Sequence, residues 1–173
     1  MKKEKEISLS YRIFSPPSEF NLEELVEKIK STNSSSIIQI IDPRWVVSNR
    51  QLKVAVYHTL KAFETKRNIA RDVATEFLIR LSGKRQISSA VELFGINKES
   101  LYFLVLAFGG LDKENQQSLA SFVKESKILI DKEVKQSLPL TEKKELSKFY
   151  ECKEDIEEIE KKALENMAMI EAL

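Results

Sequence analysis

With 173 residues, 42% hydrophobic and 32% charged, the chain can bury a core of its own without help from a metal or a disulfide. Four glycines, one histidine and one cysteine exclude a glycine-rich phosphate loop, the usual His/Cys zinc sites and an internal disulfide. The net charge of +1 conceals an uneven distribution: residues 44–90 hold ten Lys and Arg against three Asp and Glu, while 140–173 hold six against ten. So local an excess of +7 suits a face for a polyanion, and it equally suits a solvated helical surface.

Ile7, Leu9, Tyr11 and Ile13 alternate with polar residues, which predicts a half-buried strand ended by Pro16-Pro17. Asn21 caps a helix to about Ser31, with Leu22, Leu25, Val26 and Ile29 on one face. Ile37 to Ile41 reads as a more deeply buried strand stopped at Asp42-Pro43.

Three helices follow. Ser48 and Gln51 have capping-box spacing ahead of the stripe Leu52, Ala55, Val56, Leu60 and Phe63. The second helix runs from Ala70 through Val73, Ala74, Phe77, Leu78 and Leu81 and closes at Gly83. The third carries Ile87, Ala90, Val91 and Phe94 and closes at Gly95.

Leu101 to Phe108 is a continuous apolar strand, too short at eight residues to span a membrane, which takes about 20. Asp112 caps a further helix, and Lys127 to Ile130 is a candidate short strand. Thr141 starts a helix with Leu146, Phe149 and Tyr150 inward, and a last helix begins at Glu154. The expectation is one α+β domain over 1–173: a small mixed sheet covered by helices, with a central run of short helices. The charged start, Met1 to Glu6, leads into no apolar core, so no targeting segment is read and a cytoplasmic location is expected.

No catalytic constellation is legible. His58 lies off its helix's apolar stripe, near Lys61 and Ala62, and lacks an acid or nucleophile at readable spacing. Cys152 sits among Glu151, Glu154 and Asp155, the wrong sign of charge for an activated thiolate. Glu76 and Arg80 read as a helical surface pair worth about 0.2–0.5 kcal/mol. Asp42 and Asp72 read as a strand-end and a helix-start residue. A non-enzyme is expected, with no cofactor and no metal; a hydrolase using His58 is the remote alternative.

The basic segment is more informative. Lys66-Arg67-Asn68 joins the first and second helices of the triplet, and Lys84-Arg85-Gln86 joins the second and third. Successive hairpins would leave these loops at opposite ends of the middle helix unless another part of the fold brings them together. Lys61, Arg71 and Arg80, on non-core faces, would extend the patch. Arg and Lys suit phosphates, and Arg, Asn and Gln suit unpaired bases. Helix-starting amides beside Asn68 and Gln86 would add donors. Arg85 and Gln86 also suit a plain bracing role at the helix junction.

The stretch His58, Ala62-Phe63, Asn68-Ile69-Ala70, Glu76, Leu78, Ser82-Gly83, Arg85-Gln86-Ile87, Ala90 and Gly95-Ile96 resembles the PRPK-binding-protein family, the small regulatory subunits of the KEOPS complex. Leu164 to Met169 resembles the family's C-terminal helix. The resemblance implies a mixed α/β fold without catalysis of its own. It also implies a kinase-like ATPase subunit and tRNA as partners, the single-stranded 3′ end being gripped, in support of threonylcarbamoyladenosine modification. Candidate RNA contacts are Lys61, Lys66, Arg67, Asn68, Arg71, Lys84, Arg85 and Gln86. Two departures stand out: Lys66-Arg67 where a small residue is expected before the Asn, and Asn166 where the family often has Arg. The alternative is a protein-interaction module that regulates a kinase-fold partner without touching RNA.

Overall fold

The computed structural model describes residues 7–32, 34–126 and 133–172. Strands β1 (Leu9–Phe14), β2 (Ile37–Ile41) and β3 (Phe103–Phe108) form a sheet in the order β1-β3-β2. Both outer strands run antiparallel to β3, with Leu9 opposite Phe108 and Ile41 opposite Leu104. The α+β expectation holds, but the pairing is antiparallel throughout and not mixed. β1 and β2 run the same way with β3 between them, a split β–α–β arrangement.

Every residue of β3 is buried, because both faces of the strand are covered. Leu104, Leu106 and Phe108 face one core with Ile13 and Ile41; Phe103, Val105 and Ala107 face the other with Phe14, Ile38 and Ile40. That explains an apolar run without alternation. Leu101, expected to open the strand, is 73% exposed. Pairing stops at Phe103 because its partner Phe14 is the last residue of β1.

Helices α1 (Leu22–Ser31) and α5 (Asp112–Ser126) cover the second face with Leu25, Leu119, Phe122 and Val123. The first face is covered by α2 (Asn49–Glu64), α3 (Val73–Ser82), α4 (Ile87–Phe94) and α7 (Ile156–Glu171). Helix α6 (Lys143–Tyr150) packs with α7 around Val47, Leu146, Tyr150, Ile159 and Ala163. The candidate strand Lys127–Ile130 lies outside the described residues.

Helix starts follow their caps, and the caps correct several boundaries. Asn21 and Ser48 accept from the amides of Glu24 and Gln51 as anticipated. Gln51 does not complete a capping box: its side chain accepts from the Val47 amide and donates to the Tyr150 hydroxyl. Asp72 accepts from the Thr75 amide at 2.8 Å, so α3 begins at Val73 and Ala70 joins the core from the preceding linker. Asp112 is the first helical residue of α5, not its cap; the Glu114 carboxylate takes the Leu111 amide. Thr141 donates to the Arg44 carbonyl, and α6 starts at Lys143. Asp155 caps α7, which begins at Ile156, two residues later than expected.

Gly83 ends α3 in the left-handed region at φ +68°. A Cβ there would stand 2.5 Å from the Asn166 carbonyl oxygen, so the glycine is also the seat on which α7 rests. Gly83→Ala is expected to cost at least about 1–2 kcal/mol from the backbone alone, with more from the displaced α7. Urea unfolding midpoints of the two proteins check it; a loss under half a kcal/mol would contradict the seating.

Candidate functional site

Helix α2 closes in a left-handed turn at Lys66 (φ 57°), where the Arg67 amide donates to the Ala62 carbonyl at 2.8 Å. The linker over 66–72 then runs back along α3. Arg80, in the last turn of α3, donates from Nη2 to the Arg67 carbonyl at 3.3 Å. Glu76, one turn earlier, accepts from the Ile69 and Ala70 amides at 2.8 and 2.7 Å. The two basic loops are therefore not separated by the length of α3, as successive hairpins would leave them. The returning linker carries Arg67 to the end of α3 from which Arg85 departs.

The residues that pin this linker are themselves buried. Glu76 is 0% exposed and Arg80 4%. Arg80 donates from Nε to Glu76 Oε1 at 2.7 Å, with Nη2 at 2.7 Å from the same oxygen, and from Nη1 to the Glu171 carboxylate of α7. The surface pair expected from the spacing is instead a buried, charge-assisted network spanning α3, α7 and the linker. The signal lay in the composition of α3: Phe77, Leu78, Ile79 and Leu81 leave it no polar face, so its charges are buried with it.

Above Arg80 opens a cleft of about 370 Å³. Lys61, Thr65, Arg67, Ile69 and Arg85 line it, with Ile170 and Glu171 closing it from α7. Three of the anticipated contacts, Lys61, Arg67 and Arg85, are thus brought together from α2, the returning linker and the α3–α4 loop. Lys66, Asn68, Arg71, Lys84 and Gln86 lie outside the lining. Lys66, Arg71, Lys84 and Gln86 are exposed; Lys66 and Lys84 adjoin the lining residues Arg67 and Arg85 in the chain, while Arg71 precedes the cap at the opposite end of α3. Asn68 is half-buried and donates to the Ala70 carbonyl, and its neighbouring amides are taken by Glu76; none of them starts a helix. Gln86 precedes α4 without a side-chain capping bond.

Among the described residues, none of Lys61, Lys66, Arg67, Arg71, Lys84 and Arg85 has a carboxylate within 4.0 Å. Lys61 Nζ is 3.3 Å from the Tyr57 hydroxyl and 5.3 Å from its ring centroid, which leaves it exposed and positively charged at the rim. Tyr57, Ile170 and Glu171 escaped sequence reasoning. Tyr57 and Glu171 carry no motif, and Ile170 reads simply as a core position of the last helix.

His58 stands behind the same cluster, its Nδ1 3.4 Å from Glu171 without hydrogen-bond geometry. Desolvation pulls its pKa below 6.5; Glu171 opposes this, while Arg80 and Lys61 reinforce it. The neutral imidazole is thereby favoured, beside the Glu171–Arg80 pair. Desolvation and the Glu158 carboxylate push the Cys152 thiol up, away from thiolate chemistry. Among the described residues no group of three or more His, Cys, Asp and Glu could hold a metal ion. None of the described helices is long and apolar enough to cross a membrane.

Sheet, helices and cleft define an α+β protein with a cationic recess framed by α2, α3 and α7. A family model, kinase binding protein CGI-121, matches residues 20–171, every element from α1 to α7. The chain belongs to this family of kinase-binding proteins.

Two outcomes follow from the buried network. Glu76→Ala removes the buried partner of Arg80, leaving it only the Glu171 carboxylate, and frees two linker amides, so it is expected to cost about 3–5 kcal/mol in urea unfolding; a loss below 1 kcal/mol would refute the network's structural role. Because the folded pKa of His58 is depressed, the unfolded chain takes up the proton first as pH falls below 6.5. Stability should fall on acidification from pH 7 to about pH 5.5, and less steeply in His58→Gln, when unfolding is followed at both pH values.

Proposed function

We propose that this chain is a non-catalytic subunit of the KEOPS complex. On this reading it binds the complex's kinase-like ATPase subunit and the single-stranded 3′ end of tRNA, in support of threonylcarbamoyladenosine modification. The observation that carries the RNA half is the cleft. Three cations without carboxylate partners among the described residues converge on it from three separate parts of the chain, although sequence order alone would scatter them.

The chemistry fits a single strand better than a duplex. Lys61, Arg67 and Arg85 suit successive phosphates, and a recess of this size admits an unpaired nucleotide but not a helix. Ile69 and Ile170 give a base an apolar wall. The lining has no aromatic ring, so stacking falls to the Arg guanidinium planes and to Tyr57 outside the rim. Lys66 and Lys84, next in the chain to Arg67 and Arg85, widen the positive field around the mouth and steer the strand more than they hold it.

A second reading, a protein-docking module without RNA contact, draws on α4. Ile87 and Val91, one helical turn apart, are 46% and 45% exposed on a face with no charged residue between them but Glu92 beside them. That pair suits a protein partner, and the two readings differ in whether tRNA binds as well.

The deciding measurement is a titration with tRNA, intact and trimmed of its 3′ tail, at two salt concentrations. Three phosphate contacts give a log K against log salt slope of about −2 for a single strand. Arg67→Glu with Arg85→Glu should abolish binding at moderate salt, and trimming the tail should remove most of the affinity of the unaltered protein. Unchanged affinity in the double variant would overturn the RNA reading and leave the docking module.

A further inference from the structure

Arg80 is the innermost cation of the cleft, and it is shared by two carboxylates held in very different ways. Glu76 is wholly buried, accepts from Nε with Nη2 in ion-pair contact, and is fixed by the Ile69 and Ala70 amides. Nη2 also serves the Arg67 carbonyl. Nη1 is left for Glu171. Counted donor by donor, Nη1 is the one guanidinium nitrogen whose acceptor does not come from α3 or its returning linker.

Glu171 reaches that position from a helix end, with His58 Nδ1 3.4 Å away. It is the last helical residue of α7, and 36% of its side chain is in solvent. A carboxylate there faces the negative end of the helix dipole, and the last turn of α7 holds no basic residue to offset it. It also leaves one cation between two carboxylates beneath a rim of Lys61, Arg67 and Arg85.

We propose that Glu171 is a displaceable internal carboxylate occupying the anion position at Arg80 Nη1, and that a phosphate entering the cleft takes its place. The identity of the ligand as an RNA 3′ end rests on the reading above; the exchange itself requires only a phosphate oxyanion. Swinging Glu171 outward moves one side chain at a helix end and leaves the Glu76–Arg80 pair intact. The incoming phosphate then meets Arg80 together with the rim cations, and the net negative charge of the inner cluster is relieved. Glu171 in this way selects for strongly anionic groups, since a neutral base edge offers Arg80 less than the carboxylate it would replace.

The test is a titration of inorganic phosphate at low ionic strength, read as the rise in thermal midpoint, for the unaltered chain, Glu171→Gln and Glu171→Ala. Melting of each variant in phosphate-free buffer establishes that it is folded. Removing one negative charge a few ångströms from the bound anion should tighten phosphate binding about tenfold. Equal or weaker phosphate binding by both variants overturns the exchange. The same proteins titrated with intact and tail-trimmed tRNA separate the two claims. A phosphate gain without tRNA binding in any of the three supports the exchange and removes the RNA reading. Tail-dependent tRNA binding with no gain in either variant overturns the exchange and leaves the RNA reading in place.

Discussion

The whole recess depends on one desolvated ion pair, Glu76 with Arg80 on α3. Burying either charge alone would cost several kcal/mol, so neither is tolerated without the other and without further hydrogen bonds. Those further bonds are what shape the molecule. The spare oxygen of Glu76 is satisfied by two linker amides and the spare face of Arg80 by a linker carbonyl and a carboxylate from α7. Satisfying the pair therefore dictates the path of the linker and the position of the end of α7. A hydrophobic pair in the same place would fill the volume as well and would specify neither.

From that path follows the charge pattern of the surface. Because the linker doubles back, Arg67 and Arg85 approach each other across the end of α3. Lys61 stands one turn before the close of α2 and reaches the same opening. That none of them pairs with a carboxylate among the described residues has a physical root too. Residues 44–90 contain three acidic residues, and Glu76 is consumed by Arg80 while Asp72 is consumed as the α3 cap. Only Glu64 is left uncommitted, on the exposed end of α2, so a local excess of positive charge leaves the rim cations solvated and open to an anion.

Much of the scaffold was legible because it depends on period and punctuation. The alternation of Leu9, Tyr11 and Ile13, the unbroken run of β3 and the i, i+3, i+4 stripe of α3 each predict their element, and Gly83 predicts its turn. Boundaries failed where a polar cap overrode the apolar pattern. Ala70 continues the stripe of α3, but Asp72 starts the helix three residues later. The site was legible as a list of cations and illegible as a place. Nothing local shows that a linker reverses, because the reversal is enforced by a buried carboxylate seven residues from the amide it holds. Arg80 was misjudged for the same reason, its depth being a property of α3 among its neighbours rather than of its own spacing from Glu76.

Three solvated cations and one guanidinium already held by internal acceptors make a modest site. Exposed contacts to phosphate are screened by salt, and ordering a flexible single strand opposes them. On the proposed reading this modesty suits a subunit. A site that holds a strand weakly gains from being tethered to a partner that holds the same nucleic acid elsewhere, because the second contact is then made at an effective concentration in the millimolar range. The exposed apolar face of α4 begins directly after the loop that carries Arg85, so a protein docked there would stand beside the mouth of the cleft. Docking and strand capture would then be neighbouring events on one short stretch of chain, coupled through the loop whose glycine also seats α7.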